Sequence, residues 1–498
     1  MKIVILGNGI AGITAARFIR KRSDHEILVI SDESDEFFSR TALMYIYMGH
    51  LRERDTRPYE PWFWDKNRIQ RLRARIVRID FDKKTLHATD GKTIFYDKLV
   101  LALGSRPNKF GWPGQDLNGV QGLYHLQDLA TMEQFFPRPE GLGEEGLGGE
   151  GLGEEGLSEE GLSEEHASDR KYENNFSGQD FSAQAFRPGK AVIAGGGLIG
   201  VEMAEMFHSR QIPVTFLVRE KDFWGNVLPP EEAAMVSRHL REHHIDLRLQ
   251  TELREILDDG QGYCRAVVTQ SGETIPCNFV GLTVGVRPNI DFLKNSALET
   301  NRGILVNDHL ETNLPDVYAA GDCAELRRPQ PGRRAIEAVW YTGRMMGETL
   351  AHNLTGNRTP YNPGVWFNSA KFFDIEYQVY GDIRAELPPE QSTVYWEHPS
   401  GKKSIRLNYE IATGRILGFN LMGVRYRQEV CERWLRAGTP VESVLQQLGL
   451  ANFDPEFSVQ YEAYLMEQYN RKNGTAFSLQ QKRGLPAVLK FLTPIARR

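Results

Sequence analysis

The sequence predicts an α/β protein with two three-layer units, each built from a parallel β-sheet between layers of helices. Two glycine-rich segments carry this prediction, GNGIAG at 7–12 and GGGLIG at 195–200. Each follows a short apolar run, which reads as a buried strand, and precedes residues with helical spacing. The order of strand, glycine turn and helix therefore occurs twice in one chain of 498 residues.

The first glycine segment joins the apolar run 3–6 to the helical pattern 10–19. In this Rossmann-like arrangement Gly7 permits the tight turn, and Gly9 lets the backbone approach a pyrophosphate. Gly12 lets the helix pack against the strand. The segment thus predicts a dinucleotide site.

The helix N-terminus supplies the rest of this predicted site. Unpaired N–H groups at Ile10 and Ala11 favour the negative charge of a diphosphate. Asp32 follows the next predicted strand, twenty residues after Gly12, where a carboxylate binds the adenosine ribose. The first site is therefore expected to accept a ribose with a free 2′-hydroxyl.

The second glycine segment repeats the pattern after the strand 191–194. Gly195, Gly197 and Gly200 take the same three roles, and Leu198 and Ile199 open the helix. For either segment alone, the alternative is a glycine turn in an ordinary βα unit with no ligand. Two such segments, each followed at the right distance by an acidic residue, favour two dinucleotide sites.

The residues after the next strand, 214–218, leave the second nucleotide undecided. Arg219 is suited to the 2′-phosphate of NADP, whereas Glu220 is suited to the 2′-hydroxyl of NAD. Because Arg219 comes first, it favours NADP slightly, but both remain open.

Composition limits the remaining possibilities. The length suggests about three domains, and 41% hydrophobic with 25% charged residues is typical of a globular chain. A net charge of −6 provides no basic field for nucleic acid, and no apolar stretch reaches the roughly 20 residues of a membrane span. A strand beginning near Lys2 leaves no room for a signal peptide.

The cysteines are few and scattered, with no CxxC pair. This pattern predicts a reducing, cytoplasmic location, no disulfide framework and no metal site. We expect all of them to be small buried residues: Cys264, Cys277, Cys323 and Cys431.

One segment is unlike the rest of the chain. A five-residue repeat of the GLGEE type runs over 141–165, and the surroundings stay polar. We predict a disordered acidic insertion over 137–187, because it lacks the apolar surface needed to offset ordering entropy. A tolerated surface insertion is favoured over a binding segment for a basic partner.

Three further motifs point to a family: LALGSRP at 101–107, TVGVRPN at 283–289 and TNLPDVYAAGD at 312–322. In this order they resemble the two-dinucleotide flavoproteins of the pyridine nucleotide-disulfide oxidoreductase superfamily. The resemblance implies that Asp322 binds the ribityl chain of FAD and that Gly321 permits its approach. Gly104 and Gly285 then mark the two crossings between the nucleotide domains.

The resemblance also implies the domain arrangement, in which FAD occupies the first loop and NAD(P)H the second. Residues 337–344, with Val339, resemble the helix whose N-terminus faces the flavin. A smaller α+β domain would follow at the C-terminus, where relatives carry a dimerisation domain, so we expect a homodimer. The predicted boundaries are 1–112 and 287–358 for the FAD domain, 113–136 and 188–286 for the inserted NAD(P)H domain, and 359–498 for the C-terminal domain.

For the reaction, the resemblance implies direct hydride transfer from NAD(P)H to flavin without a protein base. Glu202 resembles the glutamate that lies beside the nicotinamide, which gives it a supporting catalytic role. The alternative is a simple carboxylate near a helix N-terminus.

The stretch 36–45 contains no cysteine, which argues against thiol and peroxide chemistry at the flavin. It resembles the YSRPxLSK segment of the rubredoxin and ferredoxin reductase branch, although Thr41 replaces the proline and Tyr45 the lysine. Arg40 is expected to contact an FAD phosphate or a partner protein, or to be a solvated loop residue.

The predicted function is an FAD-dependent NAD(P)H oxidoreductase that passes electrons to a small carrier such as a ferredoxin or rubredoxin. A quinone and oxygen are the alternative acceptors, and a redox-sensing interaction protein is the alternative class. The basic, apolar tail 482–498 is interpreted as a packed helix or as a contact with a membrane surface. Arg425, Glu429 and Arg433 are expected to form ion pairs on a helix surface.

Overall fold

The computed structural model describes residues 1–137 and 189–480. The predicted acidic insertion beyond Pro137 and the basic tail at 482–498 lie outside the described residues.

The described chain before the insertion holds nine strands and four α-helices. The strands are β1 (Lys2–Leu6), β2 (Glu26–Ser31), β3 (Ile69–Arg73), β4 (Ile76–Asp80), β5 (Thr85–Ala88), β6 (Thr93–Phe95), β7 (Lys98–Leu101), β8 (Ser105–Pro107) and β9 (Val120–Gln121). The helices are α1 (Ile10–Arg20), α2 (Leu43–Tyr47), α3 (Trp62–Lys66) and α4 (Leu126–Phe135).

Eight strands and two helices follow the insertion, up to the second crossing motif. The strands are β10 (Ala191–Ala194), β11 (Val214–Leu217), β12 (Asp246–Arg248), β13 (Leu253–Asp258), β14 (Cys264–Thr269), β15 (Thr274–Pro276), β16 (Phe279–Leu282) and β17 (Val286–Pro288). The helices are α5 (Leu198–Ser209) and α6 (Pro230–Glu242).

The remaining described chain holds eight strands and four α-helices. The strands are β18 (Ile304–Val306), β19 (Val317–Ala319), β20 (Ala324–Leu326), β21 (Phe367–Phe372), β22 (Ile375–Gly381), β23 (Gln391–Glu397), β24 (Ser404–Glu410) and β25 (Ile416–Met422). The helices are α7 (Trp340–Leu354), α8 (Gln428–Ala437), α9 (Val441–Gln447) and α10 (Glu462–Asn473).

The first sheet is parallel, with the strand order β19-β7-β1-β2-β3. Ile3, Val4 and Ile5 in the central strand are fully buried, as expected for a strand covered on both faces. Helices α1 and α7 pack against each other beside this sheet. Strand β19 pairs with β7 but follows the whole second unit in the sequence. The second unit is therefore inserted into the first.

The second sheet is also parallel, with the order β12-β11-β10-β16-β9. A three-stranded antiparallel sheet, β13-β14-β15, accompanies it. The two crossing motifs pair directly as β8 and β17, with Arg106 opposite Arg287. The two three-layer units predicted from the sequence are confirmed.

The C-terminal region has an antiparallel sheet of order β21-β22-β25-β24-β23. Successive side chains along each of its strands point to opposite faces of the sheet. Ile405 and Leu407 pack with α8–α10 in one apolar cluster, whereas Tyr377 and Val379 join the apolar cluster that contains α5 and α6. The predicted α+β region therefore covers one side of the second unit.

One sequence expectation in this region is wrong. Helix α8 begins at Gln428, so Arg425 precedes it and forms an ion pair with Glu376 instead of Glu429. An i, i+4 pair requires both residues on one helix, and the loop before α8 breaks that spacing.

All four cysteines are buried and free, as expected for small core residues. Within 1–137 and 189–480, no helix has the length and apolar content to cross a membrane.

Candidate flavin and nicotinamide sites

A cleft of about 570 Å³ opens at the carboxyl edge of the first sheet. Most of the residues that the sequence assigns to FAD line this cleft: Gly7, Gly9, Ile10, Ala11, Asp32, Arg40, Gly104, Gly321, Asp322 and Val339. In open parallel sheets, ligands bind at this edge. The fold therefore brings residues from distant parts of the chain to one place.

The first glycine loop has two structural glycines and one that borders open space. Gly7 has φ +115°, and a Cβ there would lie 2.0 Å from the carbonyl oxygen of Ala102. A Cβ on Gly12 would lie 2.1 Å from the carbonyl oxygen of Gly7, which is why Gly12 packs behind the cleft. Gly9 has nothing within 4 Å of its Cβ position. The space that a pyrophosphate needs is thus open.

The second loop has the same geometry. Gly195 has φ +116°, and its Cβ would lie 2.5 Å from the carbonyl oxygen of Thr283. A Cβ on Gly200 would lie 2.6 Å from the carbonyl oxygen of Gly195, whereas the nearest atom to that of Gly197 is 4.0 Å away. Gly197 caps α5, and Leu198 and Ile199 form its first turn. The second loop is therefore also shaped for a close phosphate.

Asp322 lies deep in the cleft beside the first crossing motif. Its Oδ2 accepts a hydrogen bond of 2.9 Å from the Ser105 hydroxyl, and burial raises the pKa of this carboxyl. The backbone N–H of Ser105 donates to the Tyr124 hydroxyl over 2.7 Å. The sequence prediction missed Tyr124, since no motif contains it.

Arg40 has a partner that the sequence did not reveal. Its guanidinium forms a bidentate ion pair with Glu33, with Nη2–Oε2 at 2.5 Å and Nη1–Oε1 at 2.9 Å, and also donates to the carbonyl of Tyr124. Burial acts to raise the pKa of Glu33, but hydrogen bonds with His125 and Arg40 lower it to about 2. Arg40 thus lines the cleft as half of an ion pair, which makes a solvated loop arginine the wrong interpretation.

Glu202 belongs to the second unit but lines the cleft of the first. It is the fifth residue of α5 and, with Ile199, lines the cleft formed by the first glycine loop. Burial, and then the nearby charge of Glu205, raise the pKa of Glu202 to about 7. This carboxyl therefore changes charge near neutral pH at the boundary between the two predicted nucleotide sites.

The N-terminus of α7 faces the cleft through Val339, Trp340 and Gly343. The helix begins at Trp340, three residues later than the predicted start at Glu337. Glu337 instead forms a buried ion pair with Arg333, Nη2–Oε2 2.6 Å, in the segment before the helix. The positive end of the helix dipole is thus directed at the cleft.

The residues assigned to NAD(P)H lie outside the lining of this cleft, apart from Ile199: Gly195, Gly197, Leu198, Gly200, Arg219, Glu220 and Gly285. Arg219 follows β11 and its Nη2 lies 3.1 Å from Glu220 Oε1. Gly285 has φ +86° and adjoins Asn108 where the two crossing motifs pair.

No cysteine lines the described cleft. Cys323 follows Asp322 in sequence, but its Sγ donates to the carbonyl of Leu101 in the core, and burial raises the pKa of its thiol to about 12. A reactive thiolate at this position is therefore disfavoured.

A family model of the pyridine nucleotide-disulphide oxidoreductases matches residues 1–139 and 153–347. The chain belongs to this family. It is accordingly an oxidoreductase that uses FAD and a nicotinamide nucleotide, and the open glycine loops, Asp322 and the α7 N-terminus fit those groups.

Relatives within the family include the ferredoxin–NAD(+) reductase component of the biphenyl dioxygenase system of Paraburkholderia xenovorans (strain LB400). It is 26% identical over 391 residues, which cover 78% of this chain and 82% of the relative. The rubredoxin–NAD(+) reductase of Ectopseudomonas oleovorans is 25% identical over 363 residues, covering 72% and 81%. A covalent putidaredoxin reductase–putidaredoxin complex has the same fold, with a TM-score of 0.69, 20% identity, and coverage of 94% and 98%.

Proposed function

We propose that this protein takes a hydride from a reduced nicotinamide nucleotide and passes electrons to a small ferredoxin- or rubredoxin-type carrier. The observation that carries this proposal is a flavin cleft with no cysteine among its described lining residues. Without a thiol, the electrons have no protein disulfide to reduce and must leave to an external acceptor. The names of the reductases similar to this chain support the choice of a carrier protein.

We assign the first glycine loop to the FAD pyrophosphate, Asp32 to its ribose and Asp322 to its ribityl chain. When bound, FAD accepts two electrons from the nucleotide and releases them to the acceptor. The N-terminus of α7 stabilises negative charge in the cleft, because its unpaired N–H groups and dipole point there.

Glu202 is assigned a role beside the nicotinamide. A carboxylate in this position favours the oxidised nucleotide, because the nicotinamide ring becomes positively charged when it loses a hydride. Loss of the Glu202 proton near neutral pH thus places a negative charge beside the nicotinamide, which becomes positive in the reaction.

We propose NADH as the preferred donor, in place of the slight preference for NADP drawn from Arg219 alone. Arg219 is engaged by Glu220, which leaves less of its charge for a 2′-phosphate. The two reductases described above are both named for NAD(+).

We further propose a cytoplasmic homodimer, with the C-terminal region as its contact surface. The four buried, unpaired cysteines support a reducing compartment. Contact of the basic tail 482–498 with a membrane surface remains a proposal from the sequence.

The deciding experiment is anaerobic stopped-flow reduction of the holoprotein by NADH and NADPH, followed by addition of acceptors. We expect rapid flavin bleaching by NADH and multiple turnovers with a ferredoxin or rubredoxin. Faster turnover with a quinone or with oxygen would reassign the acceptor. A slow, long-lived charge-transfer complex without turnover would favour a redox sensor.

A further inference from the structure

A second cluster of titratable side chains lies outside the lining of the flavin cleft, between α6 and the C-terminal sheet. His239 lies in the last turn of α6, and His243 is the residue that directly follows the helix, so the two side chains are four positions apart at one helix end. Asp374 reaches them from the tight turn between β21 and β22. One ligand atom from each of the three residues lies within 4.8 Å of the other two.

The three ligand atoms lie close enough together to hold one metal ion. Asp374 Oδ1 lies 2.5 Å from His239 Nε2 and 3.3 Å from His243 Nε2, so one carboxylate oxygen faces both rings. His239 is 1% exposed, so its short contact with Asp374 is a buried one between an imidazole and a carboxylate. A buried ring nitrogen needs a polar partner. A bound metal ion would take the place of this direct contact between the same two atoms.

The surroundings orient each of the three groups. His239 Nδ1 lies 3.4 Å from Glu242 Oε2, an arrangement in which Nδ1–H donates to the carboxylate and Nε2 keeps its lone pair. The ring of His243 stacks on Phe373 with 4.4 Å between centroids. Lys402 Nζ donates to Asp374 Oδ2 over 3.0 Å, which leaves Oδ1 for the histidines.

We propose that His239, His243 and Asp374 bind a zinc ion that links the inserted nucleotide unit to the C-terminal sheet. Two imidazoles and a carboxylate suit a borderline transition metal better than Mg²⁺ or Ca²⁺, which prefer oxygen. Among divalent ions, zinc binds such a site more tightly than Fe²⁺ or Mn²⁺. A water molecule completes the tetrahedral set, as in zinc sites with three protein ligands.

The sequence contains a signal for this site, the pair of histidines at i and i+4. Our expectation of no metal rested on the cysteines alone, and the third ligand comes from a turn more than a hundred residues later. Only the packing of the C-terminal sheet on α6 brings Asp374 to the helix.

The test uses full-length, untagged holoprotein, stripped of metal with a chelator and then dialysed against Zn²⁺ alone. The variants are His243→Asn and Asp374→Asn, and the matched control is His244→Asn, an exposed neighbour on the same helix end. His244 has φ +59°, a conformation that asparagine tolerates. Retention of the bound flavin, read near 450 nm, shows that each variant is folded.

We expect one Zn²⁺ per chain in the wild type and in His244→Asn, by elemental analysis and by calorimetric titration. Both ligand variants should weaken the dissociation constant by at least about tenfold, and Glu242→Gln by about 10- to 100-fold. Zn²⁺ should raise the thermal unfolding midpoint of the wild type and the control, but not of the ligand variants.

Two outcomes would overturn the assignment. Equal zinc binding by His243→Asn and the wild type would place the ion elsewhere. A wild type that binds no Zn²⁺ and gains no thermal stability from it would make the cluster a plain histidine–aspartate ion pair.

Discussion

At the scale of single residues, Glu202 carries the most functional information. Burial raises its pKa to about 7, so the folded protein holds this proton over a pH range in which the unfolded chain, with a usual value of 4.5, has released it. Its contribution to the free energy of unfolding therefore falls as pH rises from 4.5 to about 7. The ionised form is disfavoured by the fold but suited to the proposed reaction.

We predict that flavin reduction by NADH accelerates as pH rises through an apparent pKa near 7, because the carboxylate favours positive charge on the nicotinamide. Glu202→Gln should remove this inflection and slow reduction above the inflection by roughly 100-fold. Stopped-flow bleaching across pH measures both effects.

Glu205→Gln is the matched control, one turn further along α5 and outside the cleft lining. It should lower the apparent pKa of the reaction, because the Glu205 charge raises that of Glu202, and leave the limiting rate unchanged. A wild-type profile that is flat through neutral pH would contradict the role of Glu202.

Nucleotide preference is also decided by single residues. Glu220→Gln should increase the ratio of kcat/KM for NADPH over NADH by about tenfold, since it removes a like charge from the 2′-phosphate and releases Arg219. Steady-state kinetics with both nucleotides measure the ratio. Arg219→Gln should lower the ratio, and a loss with both nucleotides in equal measure would argue against contact with the 2′ position.

At the scale of elements, α1 and α5 each follow a glycine loop of the same geometry. In each, one loop glycine is required by a positive φ and another by close packing, whereas Gly9 and Gly197 border open space. These two have φ of −68° and −115°, values that other residues adopt. A side chain there is therefore expected to obstruct a ligand and not the fold.

The two loops thus provide a matched pair of variants. Gly197→Val should retain FAD but slow reduction by NADH by about 100-fold or more, because a valine occupies the space of the pyrophosphate. Gly9→Val should lose FAD. The flavin absorbance of the purified proteins measures FAD retention, and stopped-flow rates measure reduction by NADH. Loss of FAD from Gly197→Val, with Gly9→Val unaffected, would reverse the assignment of the two sites.

At the scale of the whole molecule, a buried ion pair holds the C-terminal sheet on the inserted unit. Arg406 on β24 binds Glu232 on α6 through Nε–Oε1 at 2.8 Å and Nη2–Oε2 at 2.9 Å, and Asn420 donates to the same carboxylate. Glu232 is fully buried and Arg406 is 4% exposed. Arg406 also pairs with Glu231, Nη2–Oε2 2.6 Å, so it keeps a carboxylate partner if Glu232 is replaced.

Arg406→Leu should destabilise the folded protein by about 3–5 kcal/mol, because it leaves the charge of Glu232 buried without compensation. Arg471→Leu is the control, since Arg471 pairs with Glu467 on the surface and its loss should cost under about 1 kcal/mol. Thermal unfolding midpoints compare them. Equal midpoints for the two variants would show that the interface does not depend on this pair.

The sequence predicted the elements with a strong local signal. The strands at 3–6 and 191–194 are each found within one residue of their predicted ends, because short continuous apolar runs suit the interior of a buried parallel sheet. The start of α7 was placed three residues early, since Glu337 is held by Arg333 and not by a helical turn. Such pairings depend on side chains and have no periodic signature.

The sequence by itself determined the two glycine loops, the identity of the family and the absence of cysteine from 36–45, since each depends on local residue order. Only the tertiary structure decided that Arg40 meets the carbonyl of Tyr124, that Glu202 faces the first cleft and that Asp374 meets two histidines. The physical reason is separation along the chain. Backbone geometry is encoded within a few neighbouring residues, whereas these side chains meet only when separate sheets and helices have packed.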